Sequence, residues 1–146
     1  MTKRIGKFCT VSLDDSGATA RAITTDVTSI NGMPVTYGKI EVGGYSEDMN
    51  YLIGRGDTEV TLGLKFNPTA TTGSHTVVSG IVGSNTAGTL TIAIGSNTAP
   101  TGGDPEWEGE VICSSYTVTP DLNGDVSAEA IFVPGPGATL PAWGTV

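Results

Sequence analysis

Over much of the chain, apolar and polar residues alternate with period two, the pattern of strands that bury one face. In TEVTLGLKF, Val60, Leu62, Leu64 and Phe66 fall on one side, with Glu59, Thr61 and Lys65 on the other. TLTIAI repeats this with Leu90, Ile92 and Ile94. In GKFCTVSLDDSGATARAIT, Cys9, Val11 and Leu13 alternate with Thr10 and Ser12, and Asp15-Ser16-Gly17 supplies the turn of a hairpin. CSSYTVTPDLNGDVSAEAIFV, residues 113–133, predicts a second hairpin. Tyr116 and Val118 share a face before its turn, and Val126, Ala128, Ala130 and Phe132 share one after it.

Three segments break the alternation. In TGSHTVVSGIVG, Val77, Val78, Ile81 and Val82 form a helical stripe, which predicts a short helix within 72–83, capped by Ser74 and ended by Gly83. Its β-branched content keeps a strand open as the alternative. Residues 32–56 show no clear period and predict a long loop. Tyr45, Met49, Tyr51 and Leu52 within it suit a contact with another subunit or a fold back onto the chain's own core. The last segment, VPGPGATLPAWGTV (residues 133–146), has three prolines. From 134 onward it predicts an irregular C-terminal arm, with Trp143 as its anchor. The pentapeptide GSNTA occurs at 83–87 and 95–99, each time after an apolar run, and reads as turn chemistry.

PEWEGEVIC puts Glu106, Glu108 and Glu110 on one strand face, with Trp107 and Val111 on the other. If Trp107 and Val111 point inward, so does Cys113, but Tyr116 and Val118 have the opposite parity. A bulge between Ile112 and Tyr116 reconciles the two halves.

At 146 residues the chain is expected to be a single domain, 1–146, large enough to bury a core without disulfides. The abundance of glycine, 21 residues, suits many strands joined by tight turns. The net charge of −8 argues against a surface that grips nucleic acid. Lys3, Arg4 and Lys7 form a basic cluster, expected to be a solvated N-terminal arm.

Chemistry is sparse. One histidine, His75, and two distant cysteines, Cys9 and Cys113, are too few for a zinc site. The cysteines read as buried thiols and His75 as a cap or surface residue. No cofactor, metal or catalytic set is expected. The glutamate row is compatible with a hydrolase pair, but three identical acids in a row more often face water. No apolar run approaches the roughly 20 residues of a membrane span, and the N-terminus shows no secretory signal pattern.

Four segments in order resemble the tail tube proteins of long-tailed bacteriophages: DVTSINGMP (26–34), YLIGRGDTEVTLGLKF (51–66), TGSHTVVSGIV (72–82) and the 113–133 hairpin. The region TLTIAIGSNTAPTGGDPEWEGE and the C-terminal arm depart from that pattern. The resemblance implies a β-sandwich or barrel subunit with one short helix. Such subunits assemble in sixes, stack as rings, and bridge rings through a long loop. It further implies a virion protein made in a host cytoplasm, with itself and other tail proteins as partners and viral DNA passing without specific binding. Glu106, Glu108 and Glu110 then become candidates to line the channel. Tyr45, Met49, Tyr51 and Leu52 become candidates for subunit contact. A capsid decoration protein or another immunoglobulin-like binding module is the alternative.

Overall fold

The computed structural model describes residues 3–146. After a single 3-10 turn at Gly6–Phe8 come β1 (Cys9–Asp14), β2 (Ala20–Ala22), β3 (Val27–Ile30), β4 (Tyr37–Glu41), β5 (Tyr51–Gly56) and β6 (Val60–Lys65). Then follow α1 (Ser74–Ile81), β7 (Gly88–Ile94), β8 (Pro105–Thr119), β9 (Ser127–Pro134) and β10 (Ala142–Thr145). Seven strands form one antiparallel path, β2-β1-β7-β8-β9-β6-β3, and β10 adds to β8. The protein is mostly β with one short helix, as the alternation predicts.

The inward residues are those the period-two pattern selects. Val11, Leu13, Val60, Leu62, Leu64, Leu90, Ile92, Trp107, Val111, Ala130 and Phe132 are buried in one cluster. Val27 and Ile30 of β3 pack against that same cluster, although β3 and β1 lie near opposite ends of the strand order. The sheet therefore rolls around a single core. Burial of each large aliphatic or aromatic side chain contributes about 1.5–3 kcal/mol, so this cluster is the main source of stability.

β8 is long enough to serve two sets of neighbours. Its first half pairs with β7 on one edge, from Gly88↔Val111 to Ala93↔Glu106. Its second half pairs with β9, and the register shifts between Cys113 and Ser115. Ser114 is the extra residue, its hydroxyl donating to the Ile131 carbonyl at 3.3 Å. This is the bulge required by the parity conflict, and it turns Tyr116 and Val118 back toward the core.

The helix lies within 72–83 as expected, with Val77 and Val78 fully buried, and Gly83 ends it at φ +78°. Its cap differs from expectation. Gly73 is the N-cap residue, and Ser74 sits inside the helix, donating its hydroxyl to the Lys65 carbonyl at 2.9 Å. The capping acceptor comes from far away in sequence. Asp26 Oδ2 accepts the Ser74 N–H at 3.1 Å, and both Asp26 oxygens accept from Asn67 Nδ2 at 3.1 and 3.0 Å.

Two irregular expectations are corrected. Residues 32–56 are mainly a β-hairpin, β4–β5, forming a separate two-stranded sheet. The C-terminal arm ends in β10, which pairs Ala142↔Glu108 through Thr145↔Pro105 on the edge of β8 beyond the end of β9. Proline removes a donor only at its own position. Residues 142–145 keep theirs, and that stretch of the β8 edge is free to receive them. Pro141, not Trp143, is the buried anchor, since Trp143 is half exposed.

Candidate functional site

Three features stand apart from the core: the outer face of the rolled sheet, the β4–β5 hairpin, and a groove where the roll fails to close.

The outer face is built of hydroxyls and acids. Glu106, Glu108 and Glu110 all lie on it, with Trp107 and Val111 buried behind, as their spacing predicts. Opposite them stand Ala93, Thr91 and Thr89 of β7, and Thr10 and Ser12 of β1 continue the row. Glu129 of β9 adds a fourth carboxylate to this face. The three glutamates are not equivalent. Glu110 is held by the C-terminal arm: its Oε2 accepts the Thr139 N–H at 2.6 Å, and its backbone N–H donates to the Thr139 carbonyl at 3.1 Å. Glu108 accepts from the Thr91 hydroxyl at 3.3 Å and remains exposed. Residues two apart on a strand stand about 7 Å apart, within one Debye length, so their charges act together at ordinary salt.

The hairpin carries all four residues that the sequence marks for contact. Tyr45 is completely exposed, and Met49 (65%), Tyr51 (48%) and Leu52 (59%) are well exposed. Ile40, Val42 and Ile53 are exposed as well. Ile40 pairs with Leu52 on one face, while Tyr51 and Ile53 lie on the other beside Glu41 and Lys39. The Lys39 ammonium sits 5.0 Å from the Tyr51 ring centroid. An isolated two-stranded hairpin is marginal in water, and this one presents apolar side chains on both faces. Its root is firmly held. Trp107 Nε1 donates to the Pro34 carbonyl at 3.1 Å, and the Asp57 N–H donates to Thr36 at 2.9 Å.

The groove, about 490 Å³, lies between β1 and β3. Cys9, Val11, Val27, Ile30 and Met33 line it, with Lys7 at its mouth. Burial pushes the Cys9 thiol pKa up. The neighbouring N-terminal arm is less free than expected. Arg4 donates to Asp104 Oδ1 at 2.7 Å and to the Ile94 carbonyl at 2.8 Å. Asp104 also accepts the Val146 N–H on its backbone at 2.9 Å, so Arg4 and Val146 are fastened at one loop. A hydrogen bond from the Thr101 N–H, followed by the Arg4 contact, holds the Asp104 carboxyl below its usual range.

Among the described residues no pair of groups forms a nucleophile and base. Cys113 is buried, its thiol pKa is raised by that burial, and it donates to the Ser115 carbonyl at 3.3 Å. His75 is neither cap nor free surface residue. It is half-buried, with Nδ1 3.1 Å from the Tyr116 hydroxyl and its ring 4.4 Å from that of Phe66. Burial raises the Tyr116 pKa, and the nearby Cys113 adds to the shift. The DLNGD segment is a turn in which Asp121 Oδ1 accepts the Asn123 N–H at 3.0 Å. Among the described residues no group of three or more possible metal ligands occurs, and no helix is long and apolar enough to cross a membrane.

Sequence reasoning put the three glutamates on one strand face but missed Asp26, Asp104 and the groove. Each of these is assembled from residues tens of positions apart, so local pattern carries no signal for it.

No protein-family model matches the chain, and no curated protein matches it significantly. Solved structures do. The sheath–tube complex of PVC, an extracellular contractile injection system, in its extended state matches with TM-score 0.70 at 17% identity, over 99% of this chain and 93% of that one. The tube-terminating cap of the anti-feeding prophage matches with TM-score 0.71 at 12% identity, over 100% and 93%. The SPP1 tail tube matches with TM-score 0.70 at 9% identity, over 99% and 80%. The chain shares the fold of these tube structures over 99% of its length.

Proposed function

We propose that this chain is a structural subunit of a phage tail tube, assembling into six-membered rings that stack around a DNA-delivery channel. One observation carries the reading. A fold shared with tail tube structures across 99% of the chain projects a hairpin whose large apolar residues are exposed on the subunit. Tyr45, Met49, Tyr51 and Leu52 are the residues proposed to meet a neighbouring subunit. Ring stacking removes them from water, and burial of apolar surface at about 25 cal/mol per Å² drives it.

The outer face is proposed to line the channel with the carboxylates of Glu106, Glu108 and Glu129, while Glu110 is bound to the C-terminal arm. An acidic wall repels phosphates over about 8–10 Å at ordinary salt. It also withholds the Lys and Arg contacts whose counterion release produces binding to DNA. The subunit needs no catalytic group, cofactor or membrane for this role. Its partners are copies of itself, other tail proteins and DNA in transit, and its place is the virion tail. A tube within a contractile injection system is the second reading, favoured by the match to the PVC complex.

Deletion of Tyr45–Leu52 tests the proposal. The shortened chain is expected to stay folded by circular dichroism but to form no stacked tubes in negative-stain images. Normal tubes from the deleted chain would refute it.

A further inference from the structure

We infer that the groove between β1 and β3 is the socket for the β4–β5 tip of a second copy of this chain. The inference rests on the tube reading and adds to it the place where the hairpin goes.

The groove exists because β1 and β3 do not pair. β2 covers β1 only from Ser12 to Asp14, so the stretch from Cys9 lies beside an unclosed seam. Its walls are apolar, with Val11, Val27, Ile30 and Met33, and none of its lining residues is acidic. The chain's own hairpin does not fill it, since Tyr45 at the tip is fully exposed. Tip and groove complement each other in hydrophobicity, since Tyr45, Met49 and Leu52 offer the apolar side chains that the seam lacks.

They also complement each other in charge. From Glu41 to Leu52 the tip has Glu41, Glu47 and Asp48 and no Lys or Arg. The groove lining includes Lys7, an exposed cation, whereas Arg4 is already taken by Asp104. Lys7 thus offers the acidic tip an opposite charge in a chain of net charge −8. The turn is already shaped by its own acids: Glu41 Oε1 accepts the Gly43 N–H at 2.7 Å and Glu47 Oε2 accepts the Gly44 N–H at 3.0 Å. A preformed tip loses less freedom on docking. Tip and socket are different surfaces of one chain, so the contact is head-to-tail and can link more than two copies in series.

Cys9 makes the inference testable, because its native thiol lines the groove. In the full-length chain carrying Cys113→Ser, a second cysteine is placed at the exposed tip as Met49→Cys, and assembled tubes are treated with a short bismaleimide. A ladder of covalent dimers, trimers and longer chains is expected on a denaturing gel. The same protein with Cys9→Ser is expected to give none. A second arm uses Lys7→Glu, a surface change, expected to slow assembly about tenfold at low salt, with Asp48→Lys restoring the rate. Normal tubes without a Cys9-dependent ladder from any of Tyr45→Cys, Met49→Cys or Leu52→Cys would overturn the socket and leave the tube reading intact. A wild-type chain that forms no tubes would remove both.

Discussion

Replacing Asp26 with asparagine keeps the shape of the side chain and takes away one of its two acceptor oxygens. In the native chain the carboxylate accepts Asn67 Nδ2 at both oxygens and the first helical N–H of α1, at Ser74. It is buried, so water does not compensate for a lost partner. The new amide group would point its own hydrogens at those donors. Hydrogen bonds to a charged group contribute about 1.5–3 kcal/mol each. A carboxylate at a helix N-terminus adds about 0.3–1 kcal/mol. Asparagine still offers one oxygen, so the expected net loss is about 2–4 kcal/mol. For a chain of this length, 1 kcal/mol shifts Tm by roughly 2–4 °C, which gives a fall of roughly 4–16 °C. Urea unfolding, followed through the emission of buried Trp107, measures the change directly. It should be done below the assembly concentration, because association would add its own stability. The midpoint should fall with the slope unchanged. A loss under about 0.5 kcal/mol would refute the claim that Asp26 joins β3 to α1.

Trp107→Phe leaves the Pro34 carbonyl without its donor and is expected to cost about 1–3 kcal/mol in urea unfolding followed by circular dichroism. It should also speed amide exchange at residues 35–37, and unchanged exchange there would mean that the indole does not hold the hairpin root. The Asp104 carboxyl has its pKa lowered in the fold, so its contribution is present above the unfolded value and is lost as pH falls through the folded one. Proteolysis of the N-terminal arm is therefore expected to rise at acid pH below the ordinary carboxylate range. Arg4→Ala should produce the same rise at neutral pH, and an arm that stays protected in both conditions would contradict the role of the Arg4–Asp104 contact.

What was legible in the sequence follows from which faces are buried. Val60, Leu62 and Leu64 alternate cleanly because β6 has one face on the core and one outside. The bulge at Ser114 was legible for the same reason, since two inward sets of opposite parity cannot share an unbroken strand. β4 and β5 were hidden because both of their faces are exposed and nothing enforces alternation. β10 was hidden behind Pro141, which looks like a terminator but only ends the irregular stretch before the strand. The glutamate face was visible as spacing, but the grip of Thr139 on Glu110 spans 29 residues and has no local signature. Asp26 acts across 41 and 48 residues, and only the rolled sheet brings its partners together.

Helical reconstruction by cryo-electron microscopy of assembled full-length protein tests the central claim most directly. The account predicts stacked rings of six, with the hairpin tip buried between rings and Glu106 and Glu108 facing the channel. A monomer at all concentrations, or tubes with the glutamate face turned outward and the hairpin free in solvent, would contradict it.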